Sequence, residues 1–117
     1  MDINKMIDTL KTRSDSHEMG MIASHLGIVR GTSLNGKKVN SVEVQFDPEM
    51  ISKIVKETRE LPGIYDVLIE TCDGRLNVGE DIMAVVIGGD TRERVFPALV
   101  ATVNRIKAEG AKKKENF

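Results

Sequence analysis

Four basic side chains stand out as a set able to do chemistry: Arg30, Arg92, Lys107 and Lys114. Arg30 ends an apolar stretch, Arg92 opens the last helical stretch, Lys107 lies near that stretch's end, and Lys114 follows in the tail. Arginine carries a rigid fork of donors suited to phosphate oxygens. Lysine is a compact charge whose pKa falls readily on burial, so it can act as base or nucleophile. Together the four describe a pocket for a compact anion. Taken singly, each is read more simply as a solvated surface charge, and the run Lys112-Lys113-Lys114 as a solvated tail. On a continuous helix the interval between Lys107 and Lys114 spans about 10 Å along one face, but Gly110 interrupts that continuity.

Other candidates are less telling. His25 lies in the first apolar stretch and could be a base near neutral pH, yet a lone histidine there reads better as a hydrogen-bonded core or edge residue. Cys72 is followed by Asp73, whose charge disfavours the thiolate, so the cysteine reads as structural. Gly88-Gly89-Asp90 precedes a helix and resembles an anion-binding helix start, but Asp90 would repel an anion, leaving a simple cap as the better reading. One Cys and two His cannot build a Cys/His structural zinc site, and neither metal nor cofactor is expected.

The elements that must position these residues follow from periodicity and turn chemistry. Met6, Ile7 and Leu10 mark a short amphipathic helix between Asp2 and Arg13. Gly20 to Arg30 reads as a first strand with glycines permitting a bulge, and Asn35-Gly36 as a tight reversal with positive φ. Val39 to Phe46 forms a second strand, after which Asp47-Pro48 caps and opens a helix striped by Met50, Ile51, Ile54, Val55 and Thr58. Pro62-Gly63 ends it. Tyr65 to Cys72, then Leu76 and Val78, then Ile82 to Ile87 give further strands, the last central and stopped by Gly88-Gly89. Asp90 with Glu93 resembles a capping pair for a helix through Val95, Leu99, Val103 and Ile106, in which Pro97 either forms a kink or marks a later start. This order predicts one α+β domain over 1–110, a mixed or antiparallel sheet with helices packed on one face. Residues 111–117 lack an apolar stripe and are expected to be a mobile basic tail.

Composition narrows the partners. Seventeen basic against eighteen acidic residues provide no positive field for a nucleic acid backbone. The single cysteine suits a reducing compartment. The opening Met1-Asp2-Ile3-Asn4-Lys5 lacks the pattern of a signal peptide, and the apolar runs are too short to cross a bilayer, so a cytoplasmic protein is expected.

Read as an ordered set, several segments resemble the large, catalytic subunit of molybdopterin synthase. They are Gly27-Ile-Val-Arg30 with the loop after it, Val42-Glu-Val with Asp47-Pro-Glu-Met50, Leu61-Pro-Gly63, Gly74-Arg-Leu-Asn-Val-Gly-Glu80, Arg92 with Phe96, and Asn104-Arg-Ile-Lys107. The resemblance covers roughly residues 19 to 114, and Gly-x-Leu-x-Val-Gly-Glu is its most specific piece. It implies an α/β hammerhead fold and a homodimer binding a small ubiquitin-like sulfur carrier on each side, a heterotetramer. The carrier's thiocarboxylate would then give sulfur to cyclic pyranopterin monophosphate. By the same resemblance Lys107 and Lys114 are the catalytic lysines, and Arg30 and Arg92 bind substrate beside both lysines. Thr91 stands in the substrate-binding position where the family has a histidine. The family's His-Arg pair is Thr71-Cys72 here, a pocket-side lysine is Ile28, and the Pro-x-Trp-Lys tail is Ala111-Lys112-Lys113-Lys114.

Overall fold

The computed structural model describes residues 1–117. Six strands form: β1 (Met21–Ile28), β2 (Ser41–Phe46), β3 (Ile64–Thr71), β4 (Gly74–Asn77), β5 (Asp81–Gly89) and β6 (Ala111–Asn116). Three α-helices accompany them: α1 (Ile3–Lys11), α2 (Pro48–Arg59) and α3 (Arg92–Arg105). The strands make two three-stranded sheets, ordered β1-β5-β3 and β4-β2-β6, in which every pairing is antiparallel. The chain is thus α+β with antiparallel pairing, as its element order predicts, but it has two sheets in place of one, and its helices lie on both faces of the first: α1 covers the face opposite α2 and α3.

The apolar run of β5 is continuous because both of its faces are covered. Val85 and Ile87 point into the main core with Ile54 of α2 and Val95 and Val103 of α3. Ala84 and Val86 point the other way and are closed off by Met6 and Leu10 of α1. A strand buried on both faces loses the alternation that would mark a half-buried one. The second sheet adds Val42, Val44, Phe46 and Leu76 to the same main core. That shared core fixes the sheets against each other.

Local capping explains where the helices begin. Asp47 accepts hydrogen bonds from the amides of Glu49 and Met50, with Pro48 at the first helical position. The expected Asp90–Glu93 capping pair does not form: Thr91 is the N-cap of α3 and makes no side-chain cap. Asp90 instead accepts from the Thr91 amide at 2.6 Å and pairs with Arg94. Helix α3 runs through Pro97, which lies exposed, so the carbonyl left without its amide partner is on the solvent side.

Three further expectations are corrected. Gly88-Gly89 does not end the central strand at Ile87; the two are the last residues of β5, where a Cβ on Gly88 would stand 2.5 Å from Met19 Sδ and one on Gly89 2.5 Å from Val95 Cγ2. At Gly89 glycine is required by close packing, since the same Cβ would also stand 2.6 Å from the Gly63 carbonyl oxygen. In Asn35-Gly36 only Gly36 takes a positive φ, 82°. Finally, residues 111–116 are strand β6, paired along β2 from Phe46↔Ala111 to Ser41↔Asn116. Backbone pairing anchors this segment without an apolar stripe, helped by the bond from Asn116 Nδ2 to Ser41 Oγ and by Lys37 over the Phe117 ring. No helix is long and apolar enough to cross a membrane.

Candidate functional site

Three structural devices bring basic groups to one place. The first is the end of β1. A register shift between Gly27 and Ile28 breaks the ladder, and the chain beyond is pinned to the Asn77–Glu80 turn by Val29 N to Glu80 O and Gly79 N to Val29 O. That turn needs glycine at 79, where φ is 90°. It is closed by Glu80 accepting from the Asn77 amide. The Gly-x-Leu-x-Val-Gly-Glu segment therefore holds the strand end that carries Arg30. The guanidinium Nε donates to Thr32 O at 3.0 Å, which orients the remaining N–H groups.

The second device is the end of α3, where residues Ile106–Gly110 wind into a wider π-type turn carrying Lys107. Such turns need a reason to exist. Here the buried Gly110 fits against α2, since a Cβ on it would meet Ile51 Cδ1 at 3.0 Å, and its carbonyl accepts from the Asp47 amide at 2.8 Å. The third device is the β6 register. Val44, an inward residue of β2, faces Lys113 across the ladder. Successive strand residues point to opposite sides, so Lys113 shares the inward face and Lys112 and Lys114 do not.

Together these devices line a cavity of about 640 Å³ with Arg30, Lys107, Lys113 and His25 as its basic groups and Glu115 as its acid. Val44, Phe46, Ile82, Met83 and Ile106 supply an apolar wall. Such a space suits a guest with one anionic end and one flat, apolar body. His25 is held below its usual pKa, first by burial and then by the charge of Lys107. Its Nε2 is buried without a hydrogen-bond partner, contrary to the expectation of a satisfied core histidine. No group of three His, Cys, Asp or Glu side chains is placed to hold a metal ion.

Not every residue singled out from sequence arrives here. Arg30 and Lys107 do. Arg92 and Thr91 line a separate depression with Gly20, Met21, Glu93 and Phe96. Arg92 opens α3 and Lys107 lies beyond its end, so about 20 Å of helix separates them. Lys114 lines a third, shallow surface with Glu43 and Arg75, outside the cavity. Sequence reasoning missed Lys113 and Glu115, whose inward placement depends on a strand pairing that their polar spelling conceals.

A family model described as MoaE protein matches residues 1–109. Among solved structures, the chain is similar to the molybdopterin biosynthesis MoaE protein from Burkholderia ambifaria, with TM-score 0.79 and 28% identity over 100% of this chain and 78% of that one. It is also similar to the molybdopterin cofactor biosynthesis protein E of Burkholderia multivorans, with TM-score 0.78 and 27% identity over 100% of this chain and 77% of that one. The fold is shared with a molybdopterin synthase structure from Staphylococcus aureus, TM-score 0.72 at 20% identity over 90% of this chain and 85% of that one. It is shared too with a complex of subunits 1 and 2 of molybdopterin-converting factor from Helicobacter pylori, TM-score 0.71 at 14% identity over 98% and 78% of the respective chains.

Proposed function

Because the chain belongs to the MoaE protein family, we propose that it acts in molybdenum cofactor biosynthesis as the large subunit of a molybdopterin synthase. The reaction is sulfur transfer from the thiocarboxylated C-terminus of a small carrier protein to cyclic pyranopterin monophosphate. The observation that carries this reading is the convergence of Arg30, Lys107 and Lys113 beside an apolar wall in one cavity. Guanidinium and ammonium donors match a cyclic phosphate. The wall of Phe46, Ile82 and Met83 matches a flat heterocycle.

Each group then has a physical task. Arg30, its Nε already engaged by Thr32, offers its other donors to phosphate oxygen. Lys107 stabilises the negative charge that develops on the thiocarboxylate oxygen as sulfur is delivered. Lys113 adds a second ammonium from β6 and replaces Lys114 in that role. Arg92 and Thr91 act at this cavity only if a second copy of the chain presents them, so the proposed working unit is a homodimer flanked by two carriers in the cytoplasm. The subunit complex known for the Helicobacter pylori protein supports a small-subunit partner.

The test is reconstitution: purified protein, thiocarboxylated carrier and pyranopterin substrate yield molybdopterin, and absence of product with a cognate carrier defeats the proposal. A second reading, a non-catalytic relative serving as a binding or assembly module, is favoured by Thr91 and Thr71-Cys72 standing where the family has histidine-containing pairs. Carrier binding without product would select it.

A further inference from the structure

One group in the cavity has no task in this chemistry. His25 lies on the inward face of β1 with Ala23 and Gly27, opposite Val85 in the ladder. A buried polar atom left unpaired costs about 1–3 kcal/mol, a cost that phenylalanine among the same neighbours would avoid. Its Nε2 is the buried side-chain nitrogen with no partner, and it lies 3.5 Å from where a Cβ on Gly27 would stand. The charged groups that share its cavity are Arg30 from the end of β1, Lys107 from the π-type turn, and Lys113 and Glu115 from β6. From β5 the cavity receives only the apolar Ile82 and Met83.

We infer that His25 is an anion-linked proton carrier of this cavity: when the phosphate ester of an anionic guest sits between Arg30 and Lys107, the imidazole takes one proton from solvent and donates a charge-assisted hydrogen bond to the guest. The inference rests on the anion-binding reading of the cavity given above. Without a guest, burial first and then the charge of Lys107 disfavour the protonated ring. Three cations against one carboxylate leave the empty cavity positive, which opposes a further proton. An anionic guest offsets that opposition and supplies the missing acceptor. The proton comes from water or buffer and returns there when the guest leaves; no bond of the guest breaks. By linkage, protonation and binding assist each other equally. A rise of one unit in the imidazole pKa corresponds to about tenfold tighter binding on the acid side than on the alkaline side.

The experiment follows both histidines by NMR through a pH titration, with sodium sulfate or with sodium chloride at equal ionic strength. Sulfate is chosen because it stays dianionic throughout the histidine range, unlike inorganic phosphate. His17, on the short turn Ser16–Glu18, serves as the internal reference. The expected result is that sulfate raises the His25 pKa by about one unit, leaves His17 unmoved, and loses this effect in Arg30→Ala. In His25→Gln, sulfate binds with an affinity independent of pH. If sulfate shifts the Arg30 and Lys107 signals while His25 titrates unchanged, or if His25→Gln keeps the acid-side gain, the inference is overturned and the anion cavity stands. If sulfate perturbs no cavity signal, both fall.

Discussion

At the scale of single residues, charge and burial decide what each side chain can do. Lys107 is exposed at the cavity mouth, so Lys107→Ala should leave the urea unfolding curve within about 0.5 kcal/mol of the parent. It should nevertheless lower molybdopterin formation by about a hundredfold or more, the usual cost of one lost charge-stabilising donor. His25 has a folded pKa below its ordinary value of 6.5, so the unfolded chain binds the extra proton first. Its contribution to stability is present above that value and fades as pH falls through the folded value. Unfolding free energies measured in chloride buffer across this range should therefore drop for the parent relative to His25→Phe as the solution is acidified. Asp66, buried, takes hydrogen bonds from Arg13 at 2.9 Å and Arg59 at 2.6 Å, tying the segment after α1 and the end of α2 to β3. Both arginines are more than a third exposed and recover water when released. Asp66→Ala is expected to cost about 1–3 kcal/mol in urea unfolding, without changing sulfate affinity.

Elements set which face a residue shows, and here the register of β6 matters most. Because Lys113 pairs opposite inward-facing Val44 and Lys114 opposite Glu43, Lys113→Ala should weaken sulfate or substrate binding more than Lys114→Ala, read as Kd by calorimetry. The reverse order would mean that the strand is shifted by one residue, since such a slip exchanges the two faces. The turn ahead of β3 offers a second element-scale prediction. Gly63 takes φ of 79°, and a Cβ there would stand 2.6 Å from Asp90 Oδ1 and collide with Arg94 Cδ. Gly63→Ala should therefore lose about 1–3 kcal/mol, visible as a lower thermal midpoint, because the turn and the start of α3 compete for one space.

For the whole molecule, the separation of Arg92 from Lys107 is decisive. The two stand at opposite ends of α3, and Arg92 lines its own depression beside the exposed Phe96. If both serve one reaction, as the family resemblance implies, the site is shared between copies. Arg92→Ala and Lys107→Ala proteins, each inactive alone, should then regain about a quarter of parental activity when unfolded and refolded together in equal amounts, the share of sites in randomly paired dimers that keep both residues. Failure of the mixture to regain activity would place Arg92 outside the chemistry.

The α+β architecture, helix α2 with its Asp47-Pro48 start, the central strand and the meeting of Arg30 with Lys107 in one cavity were all legible in the sequence. Each rests on short-range pattern: hydrophobic period, cap chemistry, or a contiguous motif such as Gly74–Glu80. That Arg92 and Lys107 do not meet within one copy was decided by α3 running unbroken through Pro97, so that helical rise separates them. The fate of residues 111–117 was not legible. Their order comes from hydrogen bonds to β2, a backbone interaction that does not depend on side-chain hydrophobicity, and only that pairing chose Lys113 over Lys114. The unpartnered state of His25 was likewise decided by tertiary packing, since an imidazole on a strand face is satisfied or orphaned according to what distant segments bring against it.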